Sequence, residues 1–218
     1  MLCHDFGSSV RLQKRSLRIL HDVYRSSEDW ESRISAALRL LLGVKDSDQG
    51  IAMMARELLE GVWLEDTVEA ATARRDETKD TLATVKATVQ QYSNRELAFV
   101  HFVRQATSES LQGFLILQNC QYLIAAAFEF LIDDNDQIVM LRCLSLFAEA
   151  NASLFVREQL DILESMVCEF REKPFMNAIT LFRLIIQRTQ RAERSLLLRV
   201  QKSLRKSVFK VRASDIDE

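Results

Sequence analysis

Apolar residues return every three or four positions along almost the whole of this 218-residue chain. That is the period of one buried helix face rather than of a strand. The run SSVRLQKRSLRILHDVY, from Ser8 to Tyr24, sets the pattern, with Ser8 or Ser9 as its cap and apolar residues at 10, 12, 17, 20, 23 and 24. A second helix is expected over about 28–42, with Trp30, Ile34, Ala37, Leu38 and Leu41 on one stripe and Gly43 as a left-handed C-cap. A third follows DSD (46–48), carrying Ile51, Met54, Ala55, Leu58, Leu59 and Val62 and ending at Trp63-Leu64.

The segment 65–79, EDTVEAATARRDETK, breaks the pattern and reads as a charged connection. Helical spacing resumes at about 79–91, and Ser93-Asn94-Arg95-Glu96 forms a capping box for the helix after it. Ser108 opens a long apolar segment to Ile132, and DDND (133–136) caps QIVMLRCLSLFAEAN. Ser153 is expected to cap LFVREQLDILESMVCEF, Pro174 precedes FMNAITLFRLIIQRT, and a last helix spans about 190–210. The sum is about ten helices and no strand, an all-α chain. Divisions fall at 1–64, 65–79 and 80–218, the last two being the charged connection and further helices of the same kind.

A repeat is visible within the pattern. Asp48 is followed by Ile51, Ala55, Leu58 and Val62, and Asp136 by Val139, Cys143, Leu146 and Ala150, at the same offsets of 3, 7, 10 and 14. An aspartate cap followed by a small residue on the buried face is the habit of a HEAT repeat, and it favours an α-solenoid over a closed bundle.

Composition supports helices: the chain has 5 Gly and 1 Pro, too few for many tight turns. Hydrophobic residues make up 48%, enough for a packed core. No window is long and apolar enough for a membrane span, and MLCHDFGSS lacks the apolar stretch of a signal peptide. The cysteines at 3, 120, 143 and 168 form no C-x-x-C pair and read as free thiols in a reducing compartment.

Candidate chemistry is sparse. His4, His21 and His101 have no metal-ligand spacing, and Cys3-His4-Asp5 cannot close a tetrahedral site alone. DDND lacks the glycine and glutamate of a calcium loop, since Ile138 and Leu144 stand at those positions. No phosphate loop or nucleophile elbow occurs, so no catalytic residue, metal ligand or cofactor site is assigned.

Charge changes the picture more. Net charge is -2 overall, yet 183–212 holds ten basic residues and one acid, Glu193, a local +9 against -11 elsewhere. The last helix pairs an apolar stripe (Leu196 or Leu197, Val200, Leu204, Val208) with a basic one. Arg191, Arg194, Arg199, Lys202, Arg205, Lys206 and Lys210 are the candidate contacts to phosphates or an acidic partner, with Arg199, Lys202 and Arg205 at the centre. Aromatics for base stacking are missing, so any DNA binding is expected to be sequence-nonspecific. The first helix is also basic, at 11, 14, 15 and 18. Its pattern alone fits a surface helix, a repeat unit or a nucleic-acid arm.

The run VRLQKRSLRILHDVY, followed by RISAALRLLLGVKDSDQGIAMMARELLEGVWL, resembles the adherin or Nipped-B family, the HEAT-repeat subunit of the cohesin loader. The residues that carry the likeness are Arg15, Leu17, Leu20, Asp22 and Tyr24, then Asp46, Asp48, Gly50, Ile51 and Trp63. It spans about 8–64 and continues through the helices at 136–149, 153–170 and 177–188 by order and length. The resemblance implies part of a longer HEAT array in a nuclear, chromatin-associated, non-catalytic scaffold. Such a scaffold touches DNA, the kleisin and the ATPase heads of cohesin, promotes cohesin loading and stimulates the partner ATPase. A loader partner subunit would bind elsewhere in the parent protein. The alternative is a HEAT adaptor of another class, a nuclear transport receptor or a phosphatase scaffold.

Overall fold

In the computed structural model, residues 4–64, 82–87, 90, 93–109, 113–133, 137–168, 175–189 and 197–205 are described. Among them the regular structure is helical and no strand occurs, as the apolar spacing implies. The helices are α1 (His4–Ser26), α2 (Trp30–Gly43), α3 (Gln49–Trp63), α4 (82–87), α5 (Ser93–Glu109) and α6 (Gly113–Asp133). They continue with α7 (Gln137–Asn151), a 3-10 turn (Ala152–Leu154), α8 (Arg157–Cys168), α9 (Phe175–Thr189) and α10 (197–205). Two compact units divide the chain, Met1–Ala126 and Ala127–Glu218.

In the first unit, α1, α2 and α3 pack on one another, and α2 and α3 also meet α5. Ala36, Ala37, Leu40 and Leu41 of α2 are buried, as are Ile51, Ala55, Leu59 and Trp63 of α3. Trp63 stands edge-on to Phe102, ring centres 5.8 Å apart, and tilted against Phe99. Buried Asn119 of α6 donates to the Leu64 carbonyl at 2.6 Å, satisfying an acceptor left open at the end of α3.

Aspartates start two of these helices. Asp29 Oδ2 accepts from the Ser32 amide at 2.9 Å and also from the Ser32 hydroxyl. Those bonds, side chain first, hold the exposed Asp29 carboxyl below its ordinary value. Asp48 Oδ1 accepts from the Ile51 amide at 3.0 Å, as the repeat pattern requires. Asp136 lies outside the described residues, but α7 begins at the next residue, and Cys143, Leu146 and Ala150 are buried at the matching offsets.

Gly43 departs from expectation. It is the last residue of α2, and the C-cap is Val44 in right-handed conformation. Close approach explains the glycine instead. A Cβ there would stand 3.0 Å from the Ala55 Cβ of α3 and 3.3 Å from Leu17 Cδ2 of α1. Hydrogen at this position lets the three helices converge, and Ala55 supplies the matching small surface.

Three expected caps also move. α1 already begins at His4, so Ser8 and Ser9 lie inside it. Ser108 sits in the last turn of α5, its hydroxyl donating to the Arg104 carbonyl at 2.8 Å. Ser153 belongs to the 3-10 turn, which Asn151 caps, and α8 starts after Val156. There the Val156 amide donates to Gln159 Oε1 at 2.9 Å, the back-reaching half of a capping box. The capping box at 93–96 rests on side chains outside the described set, as do the connection at 65–79 and Pro174.

In the second unit, α9 packs against α7, α8 and the 3-10 turn. Leu141, Leu144, Phe147, Leu154, Phe155, Leu163, Leu181 and Ile185 fill its core. Phe128 meets Phe155 edge-on with ring centres 6.4 Å apart. Arg188, near the end of α9, donates through Nη1 to the Glu149 carbonyl at 2.5 Å.

Candidate basic interface

Among the described residues α10 is attached through Val200 and through polar contacts of Arg199 and Ser203. Val200 is buried at 7% exposure, while Leu204 is half-buried. Arg199 makes a fork with Glu164 of α8, Nε to Oε1 at 2.6 Å and Nη2 to Oε2 at 2.9 Å. Four residues further along both helices, the Ser203 hydroxyl donates to the Cys168 carbonyl at 3.0 Å. Contacts that advance by four residues together on both helices mean that α10 runs parallel to α8 there. The bidentate geometry suits guanidinium and carboxylate planes. The Arg199 hydrogen bond is the main reason that the Glu164 carboxyl lies below its ordinary value. Burial opposes it, and the charges of Arg199 and Arg157 add to it.

This arrangement sorts the candidate cations. Arg199 is committed to Glu164 and is part of how α10 docks. Lys202 and Arg205 are exposed on α10 and engage no partner among the described residues. Leu198, 55% exposed, precedes them on the same outward line, three and four residues being one helical step. Arg183 of α9 is exposed as well. Arg191, Arg194, Lys206 and Lys210 lie outside the described residues. Sequence reasoning missed Glu164, which stands 35 residues before its partner, too far for any local spacing rule to reveal.

His21 lies 3.4 Å from Asp22 on α1, and His101 is half-buried in α5. Burial alone pushes the Cys120 thiol up to about 12, which keeps it protonated and unreactive at neutral pH. Cys143 is a second buried free thiol, and Cys168 a half-buried one. A groove of about 600 Å³ is lined by Trp30, Glu31, Ile34, Ser35, Leu38, Arg39 and Leu42 of α2 and by Ala87 of α4. Among the described residues no group of three or more His, Cys, Asp and Glu is placed to hold a metal ion, and no helix is long and apolar enough to cross a membrane.

No protein-family model matches the chain, and no curated protein sequence matches it. A solved structure is similar, the C-terminal fragment of the cohesin loader SCC2 from Chaetomium thermophilum. It superposes with a TM-score of 0.70 over 92% of this chain, at 24% sequence identity. The fold is therefore that of a stretch of this cohesin-loader fragment, which agrees with the HEAT-type helices implied by the sequence. The chain spans 15% of that fragment's length.

Proposed function

We propose that the chain is a non-catalytic scaffold segment of a cohesin-loader-like protein, and that its basic α10 face binds DNA phosphates without reading sequence. The observation that carries the reading is the shared fold with the SCC2 fragment over 92% of the chain. Exposed Lys202 and Arg205, held on a helix whose inner face is fixed by Val200, supply a reason for phosphate affinity. The finer roles follow from the same reading. The segment helps a nuclear, chromatin-associated loader engage cohesin through its kleisin and ATPase heads, and so raises ATP hydrolysis by the partner.

Titration of a fluorescent duplex across a salt series tests the DNA step. Each neutralised phosphate adds about -0.9 to the slope of log affinity against log salt. Lys202→Glu with Arg205→Glu should weaken binding about tenfold or more and flatten the slope by roughly two. Both side chains are exposed, so the helical circular dichroism should stay unchanged. An unaltered titration in the double variant would remove α10 from the DNA-binding surface.

A further inference from the structure

The basic residues of α1 take a different form from those of α10. Arg11, Arg18 and Arg25 are spaced by seven residues, so at 1.5 Å per residue they form a row of roughly 21 Å along the helix. All three are exposed, and none makes an ion pair or hydrogen bond among the described residues. Arg15, also exposed and without an ion pair among the described residues, lies beside the row. About 100° further round the helix, beyond Arg15 and Asp22, runs a second row, again with a seven-residue step. It consists of Leu12 at 65% exposure and Ile19 at 54%. Among the side chains of α1 that are described, Asp22 is the one acid on this face.

α1 keeps this face outward because its other side is occupied. Leu17 packs against Gly43, and the Lys14 ammonium reaches over the start of α3, where a Cβ on Gly50 would stand 2.9 Å from it. The lysine of the run is thus turned inward over the Asp48-capped end, and the arginines are left outside.

We propose that this face of α1 docks an acidic amphipathic helix of a partner protein, with carboxylates along the arginine row and leucine-type side chains against Leu12 and Ile19. Charge complementarity identifies the occupant, because among the described residues four exposed guanidiniums without an ion pair stand against a single carboxylate. The apolar row favours protein over nucleic acid, since a sugar-phosphate backbone offers nothing to cover two large aliphatic side chains. Arginine is enriched at protein interfaces, from which lysine is depleted. A helix laid along α1 matches both rows, for its own faces also return every two turns. A second copy of α1 would bring arginines against arginines. The inference concerns a helix other than α10 and does not depend on the DNA reading.

The test is a fluorescence anisotropy titration of the full chain with a synthetic helical peptide. Its acids and leucines repeat on adjacent strips every seven residues, and a control peptide has the leucines replaced by serine. The wild-type chain should bind the first peptide at least tenfold more tightly than the control. Arg11→Gln/Arg18→Gln/Arg25→Gln should lose tenfold or more together with most of the salt dependence. Leu12→Ser/Ile19→Ser should lose a similar factor while keeping the salt dependence. All five side chains are exposed, so the melting curves of the variants should overlay that of the wild type. Undetectable peptide binding, equal binding by the variants, or competition by duplex DNA at the arginine row would each overturn the proposal.

Discussion

α1 and α10 look alike as strings, each an apolar stripe beside a basic one, yet they are attached by different physics. α1 makes a dry contact with α2, Leu17 against the hydrogen of Gly43, with Ala55 of α3 closing on the same point. Arg11, Arg15, Arg18 and Arg25 make no ion pair or hydrogen bond among the described residues. α10 buries Val200 but also uses its central arginine, tied to Glu164, and a serine tied to the Cys168 carbonyl. A basic stripe read from sequence is therefore an upper bound on the charge available to a partner. The mode of attachment decides how much of it remains.

The largest expected effect comes from breaking the dry contact. Gly43→Leu places a branched side chain where even a Cβ would sit 3.0 Å from Ala55 and 3.3 Å from Leu17. Overpacking of this kind costs roughly 1–3 kcal/mol. The Ala55 side cannot yield, since its Cβ is attached directly to the α3 backbone. Urea unfolding should show a lower midpoint, with Gly43→Ala falling between the wild type and Gly43→Leu. If Gly43→Leu unfolds with the wild-type midpoint, the convergence of α1, α2 and α3 at this residue carries no stability.

Much of this was legible beforehand, and the reasons differ by feature. Helix number and type follow from apolar periodicity, which is local, and the Asp48 cap follows from chemistry within three residues. Gly43 was legible as a special position but not as to why. A glycine at a helix end fits both a left-handed turn and a close approach, and only the position of α1 and α3 decides between them. Ser153 failed as a cap because a 3-10 turn intervened, moving the start of α8 to Arg157 and handing the reciprocal bond to Gln159. In the candidate interface, the cationic residues were visible. The pairing of Arg199 was not, because Glu164 comes to it through the packing of α10 on α8. The exposed arginines of α1 were visible too, but their seven-residue register acquires meaning only once Leu17 and Lys14 show which side faces inward.

A smaller effect sharpens the polar side of the contrast. Glu164→Gln removes one charge from the fork but keeps an acceptor for Arg199. The Glu164 side chain is 13% exposed and Arg199 58%, so solvent screens the pair, and the loss should be about 1 kcal/mol or less. Hydrogen exchange resolves such a local change. Amides of 197–205 should exchange several-fold faster, while those of α1 keep their wild-type rates. Equal rates in α10 would assign its attachment to Val200 and Ser203 alone.

The smallest expected effect is a pH dependence confined to the same helix. The Arg199 hydrogen bond lowers the Glu164 carboxyl in the folded chain, so the unfolded state takes up a proton first as acid is added. The contribution of the pair is therefore fully present above the ordinary glutamate value. It is lost as pH falls through the lowered folded value. Nothing in the Leu17–Gly43 contact titrates, so that contact has no matching loss. Asp29 is lowered too, through Ser32, and the first turn of α2 will loosen in acid on its own account. Residue-resolved exchange is needed for that reason, since a global signal would merge the two. From neutral pH down to about pH 3, below the ordinary carboxylate range, protection of 197–205 should fall in the wild type. In Glu164→Gln it should start lower and stay flat. An acid-dependent loss of equal size in that variant would assign the step to a group other than Glu164.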